Sequence, residues 1–231
     1  MNDHNASRLQ AFQSRRRFLQ RSATTAGAAV VGGLPALASA GTCNPTQQDI
    51  LGPMYNVGAP VFQIKLAADD EPGRKLVLRG TVLSDDCRTP LPGTMIEIWQ
   101  ADDNGHYDKK RPGDFLEASP PFHLRGMMKA DAQGRYEIQT VIPGAYPIPP
   151  GVPGLEQYGG LTRARHIHIK VYPFLNVALT TQLYFNGDEH LGTDPWGAHK
   201  PGLALDLKQN SEFMVGEFDF VLATGLKGQA G

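Results

Sequence analysis

The sequence predicts an all-β fold, an antiparallel β-sandwich with long loops, and three observations carry that expectation. No window of the 231 residues sustains a 3.6-residue hydrophobic period, so long amphipathic helices are not expected. Short runs rich in Val, Ile, Thr and Tyr recur along the chain, separated by turn residues. The 26 Gly and 18 Pro fall mostly between those runs, without the alternation of strand and helix that would build a parallel sheet.

The first forty residues read as a targeting segment. Ser14-Arg15-Arg16-Arg17-Phe18-Leu19-Gln20 matches the twin-arginine pattern, and an uncharged run from Ser22 leads to Ala38-Ser39-Ala40, a small-x-small cleavage site. That run holds Gly27, Gly32, Gly33 and Pro35, which argues against a membrane-spanning helix. The expectation is export by the twin-arginine route and cleavage after Ala40, giving a periplasmic or secreted protein. Residues 41–70 form an N-terminal arm rich in turn residues.

The strand-like runs follow over residues 71–225. They are Lys75–Leu83, Thr94–Ala101, Arg135–Val141, His166–Tyr172, Gln182–Phe185 and Glu217–Leu222. Ser84-Asp85-Asp86, Pro90-Leu91-Pro92-Gly93 and Ala132-Gln133-Gly134 mark the turns between them. Two long segments, Asp102–Ala130 and Pro147–Arg163, read as candidate active-site loops, because loops of that length on a β domain usually carry function. Residues 226–231 read as a flexible tail.

Charge narrows the partners. The chain has a net charge of −1, and its first forty residues hold five arginines against one aspartate, so cleavage leaves a more acidic protein. Without a basic stripe, neither nucleic acid nor an anionic membrane is an expected partner. The two cysteines, Cys43 and Cys87, both follow the targeting segment and would meet an oxidising compartment, where an even pair suggests one disulfide.

The chemistry centres on Arg163-Ala164-Arg165-His166-Ile167-His168-Ile169-Lys170-Val171. Ile167, Ile169 and Val171 alternate with the histidines in the period-2 pattern of a half-buried strand. Residues i and i+2 share a strand face at about 6.6 Å, so His166 and His168 can converge on one metal. Two alternating histidines can equally be solvated, and the reading depends on further ligands. Tyr107 follows the run Thr94–Ala101 and Tyr146 follows Arg135–Val141, each in a loop leaving a strand end. Two phenolates with two imidazoles make a hard, anionic donor set that suits ferric iron better than zinc. A phenol's pKa of about 10 means that only a strong Lewis acid would hold both deprotonated at neutral pH.

Around these residues the sequence resembles the intradiol ring-cleavage dioxygenases, of the protocatechuate 3,4-dioxygenase and catechol 1,2-dioxygenase type. The resemblance is carried by Leu78-Arg79-Gly80-Thr81-Val82-Leu83, Trp99-Gln100-Ala101-Asp102, Gly105-His106-Tyr107-Asp108, Leu124-Arg125-Gly126, Asp131-Ala132-Gln133-Gly134-Arg135-Tyr136, Pro143-Gly144-Ala145-Tyr146-Pro147, the histidine strand and Thr180-Thr181-Gln182-Leu183-Tyr184-Phe185. It runs from about Gly52 to about Leu222. It implies a non-haem Fe(III) held by Tyr107, Tyr146, His166 and His168, with Tyr146 and His168 axial. It also implies that Arg163 lies beside the bound substrate and that Tyr146 takes up a substrate proton. The expected reaction cleaves a catechol-type ring between its two hydroxyl-bearing carbons with O2, giving a cis,cis-muconate type diacid. Homo-oligomers are common in such proteins. Ala164-Arg165 stands where the family usually has Pro-Ala, and Arg165 should face away from the histidines. Gln182 and His123 are further candidates for the cavity. A non-catalytic exported β-sandwich that binds or carries a ligand is the alternative, since fold alone does not imply chemistry.

Overall fold

The fold follows from which residues the chain can alternate. The computed structural model describes residues 43–62, 64–108, 122–174 and 177–223. Residues 1–40, read as a targeting segment, and 226–231, read as a tail, lie outside the described residues. Twelve strands are present: β1 (Lys75–Ser84), β2 (Met95–Gln100), β3 (Arg125–Lys129), β4 (Arg135–Val141), β5 (Tyr146–Pro147), β6 (Thr162–Arg163), β7 (His166–Tyr172), β8 (Leu179–Phe185), β9 (Ala204–Leu205), β10 (Leu207–Gln209), β11 (Met214–Glu217) and β12 (Phe220–Leu222).

Two five-stranded sheets form the sandwich. One has the order β3-β2-β7-β8-β9; in the other β1 pairs with β4, β11 and β12, and β10 adds to β11. The core between them draws Leu76, Leu78 and Ile138 from one sheet and Ile96, Ile98, Ile167, Ile169 and Leu183 from the other. Ile167, Ile169 and Val171 are all but fully buried, which contributes about 1.5–3 kcal/mol apiece. That burial fixes the register of β7: a slip of one residue would turn the histidines into the core.

The all-β class holds, but the sheets are mixed. β1 runs parallel to β11 and β12, and β8 runs parallel to β9. The run Glu217–Leu222 is two strands, interrupted at Phe218 and Asp219. A Cβ on Gly80 would lie 1.8 Å from the Phe218 carbonyl oxygen. The bare glycine therefore lets the chain cross β1 closely, and Asp219 closes the break by accepting the Thr81 amide at 2.7 Å.

β3 lies inside the segment read as a loop, where Gly126 hides the strand pattern. A Cβ there would sit 2.6 Å from the Phe62 ring, so the glycine makes room for the arm to cross. The arm adds to the edges of both sheets. Met127 NH donates to Pro60 O at 2.8 Å, and Gln139 NH donates to Ile64 O at 2.8 Å. Such covering removes open edges on which other chains could pair. The proline loop is shorter than its sequence suggests, because β5 and β6 close it as a ribbon with Tyr146 opposite Arg163.

Candidate active site

β7 sends one face into the core and the other outward, and the outward face carries the chemistry. His166 and His168 lie there with Trp99 of β2 opposite His168. On the other side, Tyr184 and Gln182 of β8 stand opposite His166 and His168. An outer sheet face should be wet, yet all five of these side chains are buried. The site therefore sits on the outer face of one sheet, roofed by the arm and loops, rather than at an end of the sandwich.

The arm supplies part of the roof. Gly52 has a φ of +74°, and a Cβ there would lie 2.9 Å from His168 Cε1. Gln182 Nε2 donates to Ile50 O at 2.8 Å, and Tyr184 Oη donates to Asp49 Oδ2 at 2.9 Å. A disulfide joins Cys43 to Cys87, tying the start of the arm to the turn after β1. Trp99 stacks on the His168 ring at 4.8 Å with planes 7° apart.

Four donor groups converge under this roof. His166 Nδ1 donates to the Ala164 carbonyl at 2.6 Å. A carbonyl only accepts, so the ring's proton is on Nδ1 and its Nε2 lone pair is free for the site. Nε2 faces His168 Nε2 at 3.2 Å and Tyr146 Oη at 3.3 Å. Tyr107 meets Tyr146 edge to face, with ring centroids 5.6 Å apart. The Tyr107 hydroxyl and His168 Nδ1 are buried without a hydrogen-bond partner. Each such group costs about 1–3 kcal/mol if nothing meets it.

Electrostatics describe what would meet the Tyr107 hydroxyl. Burial holds the His166 imidazole well below its ordinary pKa, with Arg163 adding to the effect, so it is neutral. Burial does the same to His168, helped by His166 and Arg163. Burial also pushes the Tyr107 phenol well above its usual range, and the neighbouring Tyr146 pushes it further. Tyr146 is raised by burial too, although Arg163 pulls the other way. The protein alone thus keeps two neutral imidazoles and two protonated phenols face to face. A strongly charged cation would take the imidazole lone pairs and ionise the phenols, which is the fit the donor set offers. Among the described residues, no group of three or more His, Cys, Asp or Glu side chains suits a metal ion.

Two buried ion pairs hold the frame. Arg125 Nε donates to Asp108 Oδ2 at 2.9 Å, which anchors the residue after Tyr107. Burial raises the Asp108 carboxyl, but Arg125 outweighs it and leaves the group below its ordinary value. Arg163 Nε donates to Asp194 Oδ2 at 2.8 Å, and its guanidinium lies 4.4 Å from the centre of the Trp196 ring. Asp194 also accepts the amides of Ala164, Trp196 and Gly197. Burial works against the Arg163 charge, but the facing Asp194 carboxylate outweighs it, so the group stays cationic.

Of the residues singled out in sequence, Tyr107, Tyr146, Arg163, His166, His168 and Gln182 come together here. Gln182 is committed within the protein: its Oε1 accepts from Arg163 at 2.6 Å and its Nε2 donates to Ile50 O at 2.8 Å. His123 is apart, paired with Glu71 at 2.8 Å on the surface. Arg165 pairs with Asp188 at 3.1 Å. Asp194 and Asp49 escaped the sequence reading, and Trp99 entered it only as part of a motif, without a role at the site. Asp194 sits in Gly192-Thr193-Asp194-Pro195, which reads only as a turn.

Known proteins share this arrangement of strands. The Dioxygenase family model, Dioxygenase_C, matches residues 50–224. Catechol 1,2-dioxygenase 2 of Acinetobacter lwoffii is 35% identical over 180 residues, which is 74% of this chain and 62% of that protein. The chain therefore spans about three fifths of that relative's length. Chlorocatechol 1,2-dioxygenase of Pseudomonas sp. strain P51 is 34% identical over 176 residues, 74% of this chain and 68% of that one. The crystal structure of 3-chlorocatechol 1,2-dioxygenase from Rhodococcus opacus 1CP superposes with a TM-score of 0.66 at 29% identity, covering 78% of this chain and 72% of that one.

Proposed function

The chain belongs to the intradiol ring-cleavage dioxygenase family, and on that premise we propose that it is an exported non-haem iron(III) enzyme that opens a catechol-type ring with O2. The proposed product is a cis,cis-muconate type diacid. The observation that carries the reading is the buried convergence of Tyr107, Tyr146, His166 and His168, with the Tyr107 hydroxyl left without a protein partner. A carrier module would have no reason to gather these four residues in one buried place. These four residues would hold the iron. When bound, ferric iron supplies the Lewis acidity that ionises a catechol and draws electron density out of its ring.

The chain's own residues do the rest. The Nδ1–H bond of His166 to the Ala164 carbonyl fixes which nitrogen faces the site. Trp99 holds the plane of His168, and Gly52 lets the arm pack against the ring. Tyr146 stands opposite Arg163 on the β5–β6 ribbon, where its Oη can accept a substrate hydroxyl proton. Arg163, pinned by Asp194, offers a fixed positive charge where the ring becomes negative. The roof excludes water, which strengthens both effects.

Incubating the iron-loaded protein with catechol in air tests this. The expected outcome is uptake of one O2 per catechol with a ring-opened diacid as product. Oxidation to a quinone, or no oxygen uptake, would contradict it. Homo-oligomerisation and twin-arginine export are part of the same proposal, the second resting on Ser14–Gln20 and Ala38–Ala40.

A further inference from the structure

The two histidines of β7 are held in different ways. His166 is fixed by the bond from its Nδ1–H to the Ala164 carbonyl. His168 Nδ1 is buried without a hydrogen-bond partner, although a metal-binding histidine usually donates from its second nitrogen to a carbonyl or carboxylate. Its ring instead packs flat on Trp99, at 4.8 Å with planes 7° apart. Trp99 Nε1 is buried without a partner too. No hydrogen bond holds the indole, so its place rests on its packing.

That packing leads to a charged anchor. Ile96 and Ile98 of β2 face the core, which puts Glu97 and Trp99 together on the outer face. Tyr55 of the arm meets Trp99 edge-on, with ring centroids 5.0 Å apart. The Tyr55 hydroxyl donates to Glu97 Oε2 at 3.2 Å, and Tyr172 Oη donates to the same oxygen at 2.7 Å. Lys170 stands opposite Glu97 in the β2–β7 register, its Nζ 5.0 Å and 4.9 Å from the Tyr55 and Tyr172 ring centres. Glu97 is only 4% exposed. A carboxyl group at that depth is costly unless it is hydrogen-bonded, and the two phenols meet that need.

From this geometry we infer that Tyr55, anchored by Glu97, is a positioning residue that holds Trp99 against His168 and so sets the plane of that imidazole toward the metal. The inference rests on the iron reading above. Ring packing gives His168 what a hydrogen bond gives His166, and docking of the arm becomes a condition for a complete metal site. Loss of such an outer partner lowers metal affinity by about 10–100-fold.

Competition for Fe(III) against a chelator, with low-temperature EPR of the loaded protein, tests this in Tyr55→Leu, Tyr55→Phe and Tyr172→Phe. Tyr55→Leu removes the ring that meets Trp99, and iron should bind about tenfold more weakly. The shape of the ferric EPR signal, which follows ligand geometry, should change with it. Tyr55→Phe keeps the ring and drops the bond to Glu97, so its loss should be about threefold. Tyr172→Phe removes the shorter bond to Glu97 but leaves the Tyr55 ring on Trp99. It should lower the melting temperature while iron affinity and EPR signal stay as in the unaltered protein. Unaltered affinity and signal in Tyr55→Leu would overturn the inference and leave the iron reading standing. Equal losses of affinity in Tyr55→Phe and Tyr172→Phe would overturn it as well, and that pair decides if Tyr55→Leu does not fold. If the unaltered protein bound no iron, the iron reading itself would fall and take the inference with it.

Discussion

Arg163 carries a full charge where there is almost no water, being 3% exposed. It is tolerated because Asp194, 1% exposed, faces it at 2.8 Å. Removing one partner of such a pair typically costs about 3–5 kcal/mol, because the other charge is left buried and uncompensated. Asp194→Asn should therefore lower the melting temperature and loosen Arg163 together. Arg163→Ala should lower kcat/KM by about 10²–10³-fold, the usual loss for one fixed donor facing developing charge. Parallel steady-state kinetics and thermal melts check both variants, and an Arg163→Ala enzyme with unaltered kcat/KM would remove Arg163 from the proposed mechanism. At this scale the sequence was most legible where ligands repeat with the strand, as with His166 and His168. It was least legible where a residue acts through distant partners. Asp194 acts on a residue 31 positions away, and nothing in its own neighbourhood announces it.

The arm is the element on which the site depends most. Its residues Asp49, Ile50 and Gly52 reach Tyr184, Gln182 and His168, and its start is tied down by the Cys43–Cys87 bond. The bonded residues are 44 positions apart, for which chain entropy gives roughly 4 kcal/mol of stabilisation. The Cys43→Ser, Cys87→Ser double variant should melt lower by that measure and bind less iron per chain; undiminished iron content would separate the arm from the site. Among the strands, β4 and β7 match their sequence limits because alternation is uninterrupted there. Gly126 in β3 and the break opposite Gly80 blurred theirs, since in both places a glycine serves a crossing chain rather than its own strand. The short β5–β6 ribbon was hidden among prolines, although it is what sets Tyr146 against Arg163.

At the scale of the molecule, a sandwich with a buried outer face explains why one sheet can be both core and active site. The inner face of β7 holds the two sheets together, and its outer face places His166 and His168 beside Tyr107 and Tyr146, the four proposed donors. The proposed targeting segment is legible only in sequence. Replacing Arg15 and Arg16 with lysine should retain the full-length chain in the cytoplasm, whereas the exported protein should begin at Gly41; N-terminal sequencing of both fractions distinguishes these, and unimpaired export of the lysine variant would contradict the twin-arginine assignment. The central claim is that two phenols and two imidazoles bind ferric iron and that a catechol chelates it. The visible spectrum of the purified, iron-reconstituted protein, recorded before and after anaerobic addition of catechol, tests it most directly. The account predicts a reddish tyrosinate-to-iron(III) band that shifts when catechol is added. A protein that stays colourless after reconstitution with iron would contradict it.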